Sequence, residues 1–339
     1  MASLKEIAQA AGVSIGTVSV VLNGRADELR IAKQTRDRIL VVAKELDYHP
    51  NVAARRLRKA GEGSRPTIAI FWANDFPSEL LGRFFSGIQH SILNKGMQCE
   101  MIVQPFRPSE LHLAKQLATD DLCNGAILTG ISDEDLRFLE EAELKIPVVV
   151  FNRRLDKYSS FYVDDYEAGR KAAELFAASG RRHAGLIAPD VESSSILLRC
   201  KGFLEGCQSL GLQVLPEHER YAVLNMGGGQ EAAAAMLEGQ RPDALFFPNG
   251  IMAVGAVSAF QRAGVRIPED LAIITYGNSE HEQYTVPSLT SMILPVEEMA
   301  SSCLEILMDL LKGRDMNVSR LYPTPVIFRE SFPEHKYKV

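Results

Sequence analysis

The chain is short of the residues that mark several common protein classes. Its five cysteines among 339 residues (Cys99, Cys123, Cys200, Cys207, Cys303) include no CxxC pair, which excludes a disulfide-stapled scaffold. Their odd number suits reduced thiols and a cytoplasmic protein. The seven histidines form no HExxH and no cluster at metal spacing, so neither a metal nor another cofactor is expected. No apolar stretch approaches the roughly 18 residues of a membrane span. The opening MASLKEIAQAAG carries charge where a secretory signal would be apolar, so neither export nor a membrane partner is expected. No Ser or Cys nucleophile motif stands beside a histidine, and Asp164-Asp165 on an extended chain would point to opposite faces. Met226-Gly227-Gly228-Gly229 lacks the Lys-Ser/Thr of a phosphate-binding loop and reads as a strand-to-helix turn. The expectation is a protein that is not an enzyme.

What the chain does have is length for two or three folding units and a lopsided charge. Residues 1–60 hold 11 Lys and Arg against 6 Asp and Glu, whereas the whole chain carries −6. A small basic head therefore precedes a large acidic body. In the head, Ser3-Leu4-Lys5-Glu6 has capping-box spacing. Leu4, Ile7, Ala8 and Ala11 then share one helical face that stops at Gly12. Ser14 caps a second helix whose apolar stripe is Val18, Val21 and Leu22. Two short helices across a glycine-containing turn predict a helix-turn-helix. Its outer face is Ile15, Gly16, Ser19 and Val20, with Ser14 and Thr17 near the helix N-terminus, where hydroxyls and amides suit phosphate contact.

Ile39, Val42, Ala43 and Leu46 predict a third helix ending before Tyr48-His49-Pro50. Asn51 then caps VAARRLRKAG, with Val52, Ala53 and Leu57 on one side and Arg55, Arg56, Arg58 and Lys59 on the rest. So basic a segment has little reason to fold alone; bound DNA would neutralise and order it.

These residues closely resemble the LacI/GalR family of bacterial transcription regulators. LKEIAQAAGVSIGTVSVVLNG, TRDRI and LDYHPNVAARRL carry the resemblance, which continues to the C-terminal FRES and spans nearly the whole chain. It implies that the second helix enters the major groove and that the segment after Pro50 forms a hinge helix in the minor groove. It places Leu57 as the wedge between central base steps, with Asn51, Ala53 and Arg55 beside it. Where the family usually has Arg, this chain has Val20, which cannot bond a guanine edge, so base readout should differ. The connection after Asn23 is about three residues longer than usual, placing Arg25 and Arg30 in an insertion as replacement contacts or solvated loop residues.

After the GEGSRP linker, short apolar runs alternate with helical segments: TIAIFWA, a helix near 78–95, MQCEMIV, 108–119, GAILTG, 133–142 and IPVVVF. The register repeats with HAGLIA, 195–210, RYAVL, 228–238, DALFFP, 249–263 and LAIITY. The fold class is therefore α/β, with two parallel sheets covered by helices. The resemblance implies a periplasmic-binding-protein-like core behind the helix-turn-helix head. The expected organisation is residues 1–50 as head, 51–65 as hinge helix and linker, 66–164 with 294–324 as one core subdomain, 165–293 with 325–333 as the other, and 334–339 as tail.

The family binds effectors between the two subdomains, near the carboxyl ends of the strands. Carried over, the candidates are Arg199, Asn249 and Tyr276, with Asn152 and Arg153 where relatives place Asp-Arg. Trp72, Asn74 and Phe76 at the end of the first strand could rebuild the pocket, although Trp72 reads equally as a core tryptophan. Gly250 and Gly277 stand where the family has aspartates, and Leu224 where several relatives stack an aromatic. These departures weaken a sugar effector, while Arg153 with Arg199 points toward a phosphorylated sugar or an organic acid. The resulting expectation is a cytoplasmic homodimer that binds operator DNA as a repressor under a small-molecule effector. The alternatives are control by a protein or phosphoprotein partner, or a solute-binding protein with a vestigial head.

Overall fold

A computed structural model describes residues 4–22, 26, 31–46, 65–74, 78–114, 117 and 122–334. The main boundary between its two compact units falls after Arg65.

The first unit contains α1 (Leu4–Ala11), α2 (Ile15–Leu22) and α3 (Lys33–Glu45). Ile7, Ala8 and Ala11 bury against Val18 and Val21 of α2 and Ile39 and Ala43 of α3. Gly12 ends α1 in the left-handed region at φ +62°, which a side chain would strain. Leu46, expected in the core, instead lies past the end of α3 and is exposed. The Ser3 capping box and the segment from Asn51 to Lys59 lie outside the described residues.

The second unit is built on two sheets. The first contains β1 (Thr67–Ala73), β2 (Glu100–Phe106), β3 (Gly125–Leu128), β4 (Val148–Phe151), β5 (Ser159–Val163) and β11 (Ser319–Tyr322), in the order β11-β5-β4-β3-β1-β2 and all parallel. The second contains β6 (His183–Pro189), β7 (Gln213–Ala222), β8 (Ala244–Phe247), β9 (Ala272–Gly277), β10 (Thr290–Ile293) and β12 (Val326–Ile327), in the order β12-β10-β9-β8-β6-β7. Only the β10–β12 pair in that sheet is antiparallel. All seven residues of β1 and all four of β3, β4 and β8 are buried, as parallel strands covered on both faces require.

The helices are α4 (Ser78–Lys95), α5 (Asp133–Glu141), α6 (Asp165–Ala178), α7 (Ser194–Leu210), α8 (Met226–Met236), α9 (Gly250–Arg262), α10 (Glu280–Tyr284) and α11 (Val296–Leu311). Helix α11 packs on α4 and on β3, β4 and β5, while α6 pairs with α7, and α8 with α9. The chain passes from the first sheet to the second between β5 and β6, back between β10 and β11, and over again between β11 and β12. Each sheet with its helices forms a lobe, and three crossings join the two.

Local departures from the sequence reading have local causes. The second strand starts at Glu100 rather than Met97. Within 108–119 the described residues make one 3-10 turn, Leu111–Leu113. Strand β5 was not expected; its Ser159 and Ser160 are polar yet buried, so it shows no apolar run. Strand β7 begins at Gln213 rather than Arg220, because an edge strand half in solvent tolerates QVLPEHER.

Helices α6 and α7 approach closely through two reciprocal glycines. A methyl on Gly169 would stand 1.9 Å from the Arg199 carbonyl oxygen, and one on Gly202 2.0 Å from that of Tyr166. Gly202→Ala should therefore push the helices apart and destabilise the protein by about 1–3 kcal/mol. Urea unfolding measures this; a loss within about 0.5 kcal/mol, the range of neutral surface changes, would mean that the crossing is slack.

Candidate functional site

The head presents its candidate face on α2. Ser14 caps the helix: its Oγ accepts from the Thr17 amide at 3.1 Å and lies 2.8 Å from the Thr17 hydroxyl. Val18 and Val21 are buried on the inner side, whereas Ser14, Ile15 and Gly16 are exposed and Thr17, Ser19 and Val20 are half-buried. The six described residues of the proposed DNA face thus share one short helix and its cap. Asn23, Arg25, Arg30, Asn51, Ala53, Arg55 and Leu57 lie outside the described residues.

In the core, a cleft of about 830 Å³ opens between the lobes, where strand carboxyl ends converge. Asn152, Arg153, Arg199, Asn249 and Tyr276 all line it, as does Leu224. Trp72 does not. It is buried in the core with its ring 5.8 Å from that of Phe84 in an edge-to-face contact. Asn74 is exposed and away from the cleft lining, and Phe76 lies outside the described residues.

The cleft floor is one buried charge pair. Arg199 leans from the second turn of α7 so that its Nε is 3.0 Å from Asp165 Oδ1, and both side chains are more than nine-tenths buried. Its guanidinium sits 4.0 Å above the ring of Tyr276, a cation–π contact. Nε also donates to the Ser195 carbonyl at 3.1 Å, and Nη1 donates to the Pro248 carbonyl. Burial pushes the Asp165 carboxyl up, while Arg199 and the neighbouring Ser195 and Tyr276 hydroxyls pull it back. Burial, then the Asp165 charge, holds the Tyr276 hydroxyl well above its ordinary value. Asp164-Asp165 reads as extended chain in the sequence, but Asp164 is a helix cap, accepting from the Glu167 amide at 2.9 Å, and Asp165 opens α6.

Arg153 is also matched, by Asp133 at the start of α5. Arg153 and Arg199 are thus each held against a carboxylate rather than standing as isolated cations. Asn249 spends its Oδ1 on the Ile251 amide at 3.1 Å, capping α9. Asn152 adopts φ +59° and sends Nδ2 to the Ser195 Oγ at 3.5 Å across the cleft.

Arg83 binds the lobes at a crossing. Its Nε and Nη2 donate to Glu297 at 2.7 and 2.9 Å, Nη2 also to the Leu294 carbonyl at 2.8 Å, and Nη1 to the Gly277 carbonyl at 2.7 Å. Burial raises the Glu297 carboxyl, but the Arg83 bonds outweigh it and leave the group below the usual range.

Glycine at 250 has a local reason. Glu282 is completely buried, accepting from the Ser279 amide at 2.7 Å and from the Thr275 hydroxyl. A methyl on Gly250 would fall 2.0 Å from its Oε1, so glycine at 250 makes room for this carboxylate. Its sequence signal was the Ser279-x-x-Glu282 spacing at a helix start. Met226 opens α8, with Asn225 Oδ1 accepting from the Gly228 amide at 2.8 Å, a strand-to-helix turn.

Residues 3–51 match the family of bacterial regulatory proteins, lacI family, and residues 173–332 match the periplasmic binding protein-like domain. A LacI family transcription regulator from Clostridium acetobutylicum shares 31% identity, with 78% of this chain and 100% of that one aligned and a TM-score of 0.74. The HTH-type transcriptional regulator DegA of Bacillus subtilis (strain 168) is 27% identical over 88% of both chains. AscG of Escherichia coli (strain K12), also an HTH-type transcriptional regulator, is 27% identical over 98% of both. Head and core thus define a DNA-binding transcription regulator. The chain belongs to the LacI family.

Removing one member of a buried pair strands the other. Asp165→Ala should cost about 3–5 kcal/mol, and Asp165→Ala combined with Arg199→Met should recover much of that loss. A double-mutant cycle on unfolding free energies reads the coupling; additive losses would show that the pair is energetically idle.

Proposed function

We propose that the protein is a sequence-specific repressor whose operator affinity is set by a small molecule held between the lobes of its core. The observation that carries this reading is the furnished cleft. Arg199 is held in place by Asp165 and Tyr276, its Nε and Nη1 are committed to carbonyls, and Nη2 has no protein partner among the described residues. So preorganised a polar floor suits ligand capture and favours a small molecule over a protein partner. Direct interlobe contacts include polar bonds such as Arg83 to Gly277 and Ser194 to Asp133, and ligand binding to one lobe arrangement would shift the balance between arrangements.

On the DNA side, two heads of a homodimer would read the half-sites of a pseudo-palindrome. The α2 face offers hydroxyls for phosphates and, at Ile15 and Val20, apolar contacts suited to thymine methyls. Leu57 would wedge the central step.

Selection of duplexes from a random pool by the purified protein tests the reading. A pseudo-palindrome should emerge, its affinity should fall steeply with salt, and Val20→Arg should move one position of each half-site toward guanine. Enrichment of no sequence, or a site indifferent to both Val20→Arg and Leu57→Ala, would overturn the operator reading.

A further inference from the structure

The arginines around the cleft are matched one for one by carboxylates. Arg199 pairs with Asp165, Arg153 with Asp133 and Arg83 with Glu297. Four more carboxylates line the cleft: Glu79, Asp190, Glu192 and Glu282. Glu282 faces Arg329, and Glu79 lies beside His281 and Arg83. Asp190 and Glu192, on the loop leading into α7, have no side-chain partner among the described residues. The cavity therefore carries a surplus of negative charge, and such a cleft concentrates ions of the opposite sign.

A second observation points the same way. Asn152 is 7% exposed and lines the cleft, and its Oδ1 is buried without a hydrogen-bond partner. Its Nδ2 faces Ser195 Oγ. A buried orphan acceptor is satisfied by a ligand that donates.

We infer that the cleft takes a small polar cation, a molecule whose ammonium or guanidinium group meets the Asp190 and Glu192 side and whose N–H or O–H donors reach Asn152 Oδ1. This rests on the effector reading above and names the chemical class of the effector. An anion would enter against Asp190 and Glu192 and find Arg83 and Arg153 paired with carboxylates, with only Nη2 of Arg199 left to meet it.

Two measurements on the full-length protein test it. In the first, thermal shift is recorded against polar metabolites grouped as amines and guanidines, neutral polyols, and phosphates or carboxylates, at equal concentration. Stabilisers are expected in the cationic group, with affinity falling roughly tenfold in Asp190→Asn combined with Glu192→Gln, as the loss of about 1.4 kcal/mol of attraction implies. Stabilisers confined to the anions overturn the inference. So do neutral polyols whose affinity ignores that double substitution. In the second, Leu224→Trp, or Val223→Trp should that variant not fold, places a fluorophore in the cleft and is quenched by caesium and by iodide. With each normalised to free tryptophan, caesium should quench several-fold more than iodide, and the double substitution should abolish the difference; equal quenching overturns the sign of the field. If no compound in any group stabilises the protein, the effector reading fails, while the quenching ratio still decides the charge of the cleft.

Discussion

A buried guanidinium loses several kcal/mol of hydration unless a counter-charge is held against it, and that constraint organises the cleft of this regulator. Arg199 projects from α7 and Asp165 from the first turn of α6, so their pairing requires the two helices to meet at nearly backbone distance. Gly169 and Gly202 permit that approach, each facing a carbonyl of the opposite helix, and the carbonyl facing Gly169 belongs to Arg199 itself. Residues with no polar atom of their own thus fix where the charge pair lies. Tyr276, at the end of β9, then closes the guanidinium from its face. The floor is assembled by packing before any ligand arrives.

One glycine of the cleft is explained by a neighbouring carboxylate. The two positions where the family resemblance leads one to expect aspartate are glycines, and beside the first of them lies the buried carboxylate of Glu282, on the short helix after β9. Any side chain at 250 would collide with Glu282, and without Glu282 the Ser279 amide would lose the acceptor it now reaches. Glycine at 250 and the buried carboxylate of Glu282 therefore fit one another.

Much of this was legible in the sequence, for physical reasons that also explain what was not. Strands β1, β3, β4, β8 and β9 are continuous apolar runs because both their faces are covered. The three helices of the head announce themselves through Gly12, the Ser14 cap and a stripe at helical spacing. Strand β5 hid behind two buried serines, and β7 behind its polar edge character. Within the cleft, Arg199 and Tyr276 were readable as single residues. Their partners were not, because Asp165 and Glu282 matter through distances that sequence spacing does not encode. The same gap bears on ligand charge. Two arginines in a sequence read as two positive charges, whereas in the fold each faces a carboxylate that offsets it. Trp72 failed as a pocket residue for a related reason: it ends a strand whose seven residues are all buried, and Phe84 of α4 covers it.

Three passages of chain join the lobes, and the direct contacts between their facing edges include the bond from Arg83 to the Gly277 carbonyl and the reach of Asn152 and Asp133 toward Ser195 and Ser194. Such bonds exchange readily for water, each with a small net free energy. Lobes joined in this way have relative motion available to them by default. A molecule between them changes their arrangement only by the difference in its affinity for the two states. The decisive contacts are therefore those that exist in one arrangement alone. Arg199, Asp165 and Tyr276 all belong to the second lobe and stay together in any arrangement, so they confer affinity without direction. Asn152 and Asp133 sit on the first lobe and reach the start of α7 across the cleft, so a wider cleft would break those bonds. Any signal that passes through this cleft is carried by that smaller set.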